Sequence, residues 1–350
     1  MVAPLKGIAT AGNVAILYGA VAADAAPDEQ DVLVEVETTR RALASLGFAP
    51  LTLPVTLDLE AARRRLLHLR PAFVFNLVES IEGQGRLIHL APALLESLGL
   101  PFTGSGGDAA YVTSNKPLAK QLMKAVGIAT PAWAEPGLGP AFVGPYIVKS
   151  VWEHASIGID DGSVVSERQK LGGLIRRRRR RHGGEWFVER YIEGREFNLS
   201  LLASEGGVEL LPAAEMCFVD YPPGKPHIVN YAAKWEEGSF EYHATQRRFD
   251  FPPEDRDLLV RLEQTAKACW RLFGLRGYAR VDCRVDADGT VQVLEVNINP
   301  CLSPDAGFAA AAARAGLDLP GIVARIVADT RRVEMGKPAH ALPLQAAAGE

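Results

Sequence analysis

From residue 14 to about residue 100, short apolar runs alternate with stretches whose apolar residues recur at helical spacing. Val14-Ala-Ile-Leu-Tyr-Gly19 reads as a buried strand ending in glycine. A polar loop, 19–30, follows it, then a helix from Val32 to Leu46 that Gly47 stops. Leu51–Pro54 is a second strand, Leu59–Leu69 a helix with an arginine-rich outer face, and Phe73–Asn76 a third strand; the helix Leu87–Leu98 runs to Gly99. Strand and helix take turns throughout, which predicts an open parallel α/β lobe. Such sheets bind ligands beyond the strand carboxyl ends, here in loops 19–30 and 76–86, the latter carrying Glu79, Glu82 and Gln84.

Further along, Tyr146–Lys149 reads as a strand, Glu167–Arg181 as a helix, and Trp186–Phe197 as two strands turning at Gly194. Residues 219–251 are rich in Pro, Gly, Tyr and charge, and are too long for an idle connection. The helix Leu258–Phe273 then leads into a β-hairpin, and Ala306–Ala315 is a helix after it. In the hairpin, two Val-rich runs flank Asp288-Gly289, a dipeptide suited to a tight two-residue turn. That loop places Asp282 opposite Glu295 and Arg280 opposite Asn297 on one face. Val281, Cys283, Val285, Leu294 and Val296 occupy the other face, which is apolar enough to be the core side.

Two facing carboxylates repel by about 4 kcal/mol at about 4 Å and an effective dielectric of about 20, so something compensates. One reading is a structural cluster in which Arg280 and Arg284 neutralise the pair. The other is a divalent cation, and Asn297 favours it by offering a third hard oxygen ligand on the same face.

Composition narrows the choices. The chain has 350 residues, 48% of them apolar, enough for a large core in two or three lobes. A net charge of -4 gives no global drive toward nucleic acid or anionic membrane. The four cysteines, Cys217, Cys269, Cys283 and Cys301, have no metal-like spacing and read as free thiols of a cytoplasmic protein. No apolar run approaches the ~20 residues that span a bilayer. The stretch from Val14 to Ala26 lacks a basic lead-in and contains Gly19 and Asp24, so a signal peptide is not expected. Arg176 to Arg181 are consecutive, must point all around their helix, and read as a solvated helix end. An arginine-mediated RNA-binding or non-catalytic nucleotide-binding protein is the rival from another class.

The series Arg280-x-Asp282 and Glu295-x-Asn297-x-x-Pro300 resembles the metal-binding end of the ATP-grasp enzymes, and specifically the D-alanine:D-alanine ligase family of carboxylate-amine ligases. The resemblance implies an N-terminal α/β substrate lobe (1–105), a central lid lobe (106–195), a C-terminal metal-binding lobe (196–336) and a tail (337–350). It implies ATP and two Mg²⁺ ions, or Mn²⁺, held by Asp282, Glu295 and Asn297, with Arg280 stabilising an oxyanion. By the same resemblance, Lys116 and Lys149 meet the phosphates, and the loop Glu153–Gly158 with Ser156 closes over them. Lys234, in Asn230–Glu236, covers the γ-phosphate. Glu189, Tyr191, Ile192 and Leu294 surround adenine, and Glu196 takes the ribose. The expected substrates are amino acids or amines, D-alanine first, with a related ligase joining another amino acid or amine as the alternative; the expected assembly is a homodimer.

The chain departs from the family mainly at the amino-acid sites. The usual Ser-x-Glu-x-x-Val-Ser is Ala26–Val32 here, with Asp28 or Glu29 the nearest acid. Glu79 stands near the place of a usual His. Ala155 replaces the first Ser of the lid pair, Trp235 replaces a Tyr, and Cys301 replaces a Gly. Substrate identity is therefore less determined than reaction class.

Overall fold

Two of the three parallel strands of the first sheet are buried along most of their length, because Val14, Ile16, Leu17, Phe73, Val74 and Phe75 leave no polar side to face water, while the third buries only Leu53 and Val55. The computed structural model describes residues 12–22 and 24–336. Residues 1–11, residue 23 and the expected tail from 337 lie outside the described residues. The first lobe runs β1 (Asn13–Gly19), α1 (Pro27–Ser45), β2 (Ala49–Val55), α2 (Leu59–Leu69), β3 (Phe73–Asn76) and α3 (Leu90–Ser97), with sheet order β2-β1-β3. Helix α1 starts five residues before the expected Val32. Pro27 occupies its first turn, where no N–H is needed, and Asp28 and Glu29 meet the positive end of the helix dipole.

Next come α4 (Gly107–Ser114), α5 (Lys116–Ala125), β4 (Trp133–Ala134), β5 (Tyr146–Ser150), β6 (Val164–Val165), α6 (Arg168–His182) and β7 (Trp186–Arg190). The four strands form an antiparallel sheet, β4-β7-β5-β6, covered on one side by Leu171 and Leu174 of α6. The arginine run of α6 is not wholly solvated, since Arg178 is buried and bonded to Asp160 and Ser163.

The last part holds β8 (Arg195–Ser204), β9 (Gly207–Leu210), β10 (Ala214–Phe218), α7 (Tyr231–Trp235), α8 (Phe240–Ala244), β11 (Thr245–Arg248), α9 (Arg256–Leu272), β12 (Tyr278–Val285), β13 (Val291–Asn297), α10 (Gly307–Arg314) and α11 (Leu319–Gly336). Its sheet runs β11-β10-β8-β12-β13, with β9 also on β8. The segment 219–251 thus carries two short helices and a strand. Helices α4, α5 and α9 bury Ala110, Met123 and Leu262 against Phe197, Val281 and Val293 of this sheet. A second core joins the first lobe to the last: Val14, Phe75 and Leu43 pack with Tyr278, Phe308 and Ile322. Arg325 of α11 fastens that core by donating to the Ala203 carbonyl at 2.8 Å.

The hairpin reaches the expected facing pairs by another route. Asp286 and Thr290 close a three-residue loop, with Gly289 in the left-handed region at φ 77°. That loop pairs Val285 with Val291 and Cys283 with Val293. A bulge at Leu294 then restores Asp282 opposite Glu295 and Arg280 opposite Asn297. Leu294 is consequently half-buried, and Val293 takes its expected place in the core.

Candidate active site

Strands β8 and β12 run antiparallel with their polar faces aligned: Glu196, Asn198 and Ser200 stand beside Arg284, Asp282 and Arg280. Strand β13 adds Glu295 and Asn297 along the other edge of β12. Buried Asp282 accepts from Arg280 Nε (2.8 Å) and Nη2 (2.9 Å), Asn198 Nδ2 (2.9 Å) and Asn297 Nδ2 (3.2 Å). Burial raises its pKa, and Arg280 only partly offsets that. Glu295 is the opposite case. Burial pushes its carboxyl up, but Lys116, His154, Lys234 and Lys149 outweigh burial and hold it well below the carboxylate range.

The lysines converge from three elements. Lys116 begins α5, whose cap is the Asn115 side chain accepting from Leu118 N at 3.1 Å. Its Nζ donates to the Glu153 carbonyl at 2.6 Å and lies 3.6 Å from Glu295 Oε2. Lys149 shares a face of the β5–β7 pair with Glu189, which lies opposite Ile147, and its Nζ is 2.8 Å from Glu189 Oε1. Glu189 Oε2 is 2.6 Å from Lys120, a fully buried residue. Lys234 of α7 is pushed below its usual pKa by burial and by Arg280, against the pull of Glu295 and Asp282.

The hinge between β7 and β8 is built around Arg284. Its guanidinium donates to Glu196 Oε2 at 2.6 Å and to the Ile192 carbonyl at 2.6 Å, and lies 5.0 Å from the Tyr191 ring centre. Gly194 is required there, because a Cβ would meet the Val285 carbonyl oxygen at 2.0 Å. Leu294, on the bulge, is the remaining member of the expected adenine set.

Over this floor lies the loop 153–163. Ala155 and Ser156 both take positive φ (55° and 60°), a conformation costing a non-glycine residue about 1–3 kcal/mol and kept only when neighbours enforce it. The neighbours are on 229–235: Trp235 Nε1 donates to the Ala155 carbonyl at 3.1 Å, Ser156 Oγ to the Val229 carbonyl at 2.8 Å, and Tyr231 N to the Ile159 carbonyl at 3.1 Å.

On the first-lobe side, Asp28 accepts from Tyr231 OH at 2.8 Å, and Glu29 lies against Gly83, where a Cβ would come 2.9 Å from its Oε1. Cys301 donates to Asp31 at 3.0 Å. Glu79 is pushed up to about 7, by burial first and then by Asp31.

The D-ala D-ala ligase C-terminus family model matches residues 139–328, more than half of the chain. The chain belongs to the D-alanine:D-alanine ligase family. It is 30% identical to a D-alanine–D-alanine ligase of Synechococcus sp. (strain JA-3-3Ab) over 91% of this chain and 93% of that protein. The fold is that of the Bacillus anthracis D-alanine–D-alanine ligase complexed with ATP, at TM-score 0.69 and 21% identity over 93% of this chain and 99% of the other. It is also that of VanG D-Ala:D-Ser ligase from Enterococcus faecalis, at TM-score 0.67 and 16% identity over 91% and 99%. The chain is an ATP-grasp ligase that joins a carboxylate to an amine through acyl-phosphate chemistry, using ATP and a divalent cation.

No three His, Cys, Asp or Glu side chains converge among the described residues as a cation cage. A cation on this ligase would rest on Asp282, Glu295 and the Asn297 amide, an oxygen set that fits a hard divalent ion. Glu295 is the open member of that set. Ligation by Asp282 requires exchange of one of its four present bonds.

Five residues at the site escaped the sequence reading. Lys120 carries a signal in hindsight, because it lies four residues after Lys116 on the same helix face. Asn198 is found only through its cross-strand neighbour Asp282, and His154 only through its contact with Asn297 Oδ1 at 3.0 Å. Asp31 and Glu35 follow Asp28 at helical spacing on α1, a pattern hidden when the helix is started at Val32.

Proposed function

We propose that this ligase activates an amino-acid carboxylate and couples it to an amine at the face where β8, β12 and β13 meet Lys116, Lys149 and Lys234. The convergence of those three lysines and Arg280 on Asp282 and Glu295 carries the reading. Lys116 and Lys149 are fixed by the Glu153 carbonyl and by Glu189, so their ammonium groups are preorganised for phosphate oxygens without reorganisation cost. Two divalent cations at Asp282, Glu295 and Asn297 would, when bound, neutralise the transferring phosphoryl group. Arg280, locked by two hydrogen bonds to Asp282, donates to the oxyanion formed when the amine attacks the acyl carbon. Tyr191, Ile192, Leu294 and Glu196 surround the nucleoside. Trp235, Ser156, Asp28 or Glu29 line the donor side, with Glu79 and Cys301 on the acceptor side.

D-alanine is the first donor to try, as the relatives' names indicate. The test is ATP- and Mg²⁺-dependent ADP release from a panel of D- and L-amino acids. Glu295→Gln is expected to abolish release and to lower Tm, because its charge also offsets Lys116 and Lys234, while the untouched apolar face of β13 keeps the chain folded at assay temperature. Retained turnover in that variant overturns the metal assignment. The same reading makes the enzyme a cytoplasmic homodimer acting on small molecules, and its mass in solution checks the dimer.

A further inference from the structure

Helix α1 carries Asp28, Asp31 and Glu35 at helical spacing; Asp28 meets Tyr231, and Asp31 and Glu35 meet the segment after β13. Asp31 accepts from Cys301 Sγ at 3.0 Å and Ser303 Oγ at 3.1 Å, and Glu35 Oε1 accepts from Leu302 N at 2.8 Å. Glu35 is 1% exposed, and its Oε2 has no hydrogen-bond partner. The Tyr278 hydroxyl, fully buried, has none either, and it lies among Glu35, Glu79 and Cys301. Glu79 completes the group, half-buried, with no hydrogen bond or ion pair to any described residue.

The cations that face Glu79 are Arg280 and Lys234, and the anions are Asp31 and Asp28. Arg280 already gives two hydrogen bonds to Asp282, and Lys234 is shared with Glu295, Asp282 and Glu196. The wall therefore holds more carboxyl groups than cations, beside the Arg280 face where the amine must arrive. Unpaired carboxyl oxygens in a half-closed site are costly unless a ligand supplies the missing donors. An acceptor carboxylate would meet repulsion there, and an ammonium would meet charge-assisted bonds.

We propose that Glu79 and Asp31, backed by Glu35, form the acceptor subsite, and that it takes an amine carrying a second cationic group, either a diamine or a basic amino acid. This rests on the ligase reading above. The distal ammonium binds Glu79 and Asp31, leaving the near nitrogen at the acyl carbon. That nitrogen loses one proton to solvent before attack. Its C–N bond forms, the C–O bond to phosphate breaks with the electron pair leaving on phosphate, and the second proton departs to that phosphate.

The experiment first traps the acyl phosphate with hydroxylamine, which reads donor activation without any acceptor. With the donor that gives most hydroxamate, 1,4-diaminobutane, D-lysine and D-alanine then compete as acceptors, with product mass read out. At least one dication is expected to exceed D-alanine tenfold or more in kcat/KM. The diamine alone succeeding identifies a site that rejects carboxylates; lysine joined through its side chain identifies one that tolerates them. Glu79→Gln is expected to lower the ratio of dication ligation to hydroxamate formation at least tenfold through KM, and Glu79→Asp to restore part of it. D-alanine equal to or better than both dications, with hydroxamate forming normally, overturns the subsite and leaves the ligase standing. No hydroxamate from any donor overturns both.

Discussion

With Lys120 2.6 Å and Lys149 2.8 Å from its carboxylate, Glu189 acts on the fold as an anion between two ammonium groups. Burial raises its pKa, but the two lysines outweigh it and keep the group ionised. Removing that charge strands a fully buried Lys120, and breaking such a pair from one side costs about 3–5 kcal/mol. Glu189→Gln is therefore expected to lose about that much stability in urea melts as well as ATP binding; an unchanged melt would return Glu189 to a purely ligand-reading role. Glu79 works in the other direction. Its folded pKa of about 7 lies above that of the unfolded chain, so the folded state holds the proton longer. The stability linked to that proton is complete below the unfolded value near 4.5 and is lost as pH rises through about 7. Replacing Glu79 by Gln should raise stability at pH 8 by up to about 3 kcal/mol and change little at pH 4, as thermal melts at the two pH values would read. Residue identities at the β12–β13 face were legible because strand alternation alone segregates them. Lys120 and Asn198 were not, since their partners are remote in sequence and only packing brings them together.

Elements differ in how openly the sequence declares them. The facing of Asp282 and Glu295 was reached from a two-residue turn, whereas the hairpin has a three-residue loop and a bulge at Leu294 whose register shifts cancel. Alternation is insensitive to such a cancelling pair, so the polar face was right while Leu294 was placed in the core. On α1, starting the helix at Val32 hid the Asp28, Asp31, Glu35 row; Pro27 followed by two acids was the available signal. The arginine run of α6 divides in the same way. Arg178 alone of Arg176–Arg181 is buried, where it clamps Asp160 and Ser163 of the loop 153–163. Arg178→Gln should loosen that loop and raise the KM for ATP several-fold. The double variant Arg177→Gln/Arg180→Gln should leave kinetics and Tm unaltered. Equal behaviour of the two variants in steady-state assays would show that the clamp has no part in closure.

At the scale of the whole molecule, the first and last lobes share a core through α1, α10 and α11, although Val14 and Ile322 are more than 300 residues apart in sequence. No periodicity within either lobe announces that junction, because each apolar face reads the same whether it meets a neighbouring helix or a distant one. Above the core the lobes meet again through loops: Ser156 and Ile159 of the lid bond Val229 and Tyr231, and Tyr231 OH reaches back to Asp28 on α1. Tyr231 thus joins all three parts of the chain, and its bond to a carboxylate contributes about 1.5–3 kcal/mol to the closed arrangement. Deleting only that hydroxyl in Tyr231→Phe leaves the ring packing and the backbone bond to Ile159 in place. The expected result is a loosening of the loop contacts by about tenfold to a hundredfold, since each ~1.4 kcal/mol corresponds to a factor of ten. Limited proteolysis within 219–241 should then quicken by about that factor, and the KM for ATP should rise with it, while the shared core keeps Tm close to that of the parent protein. Unchanged cleavage and KM would mean that the loops hold one another without help from α1.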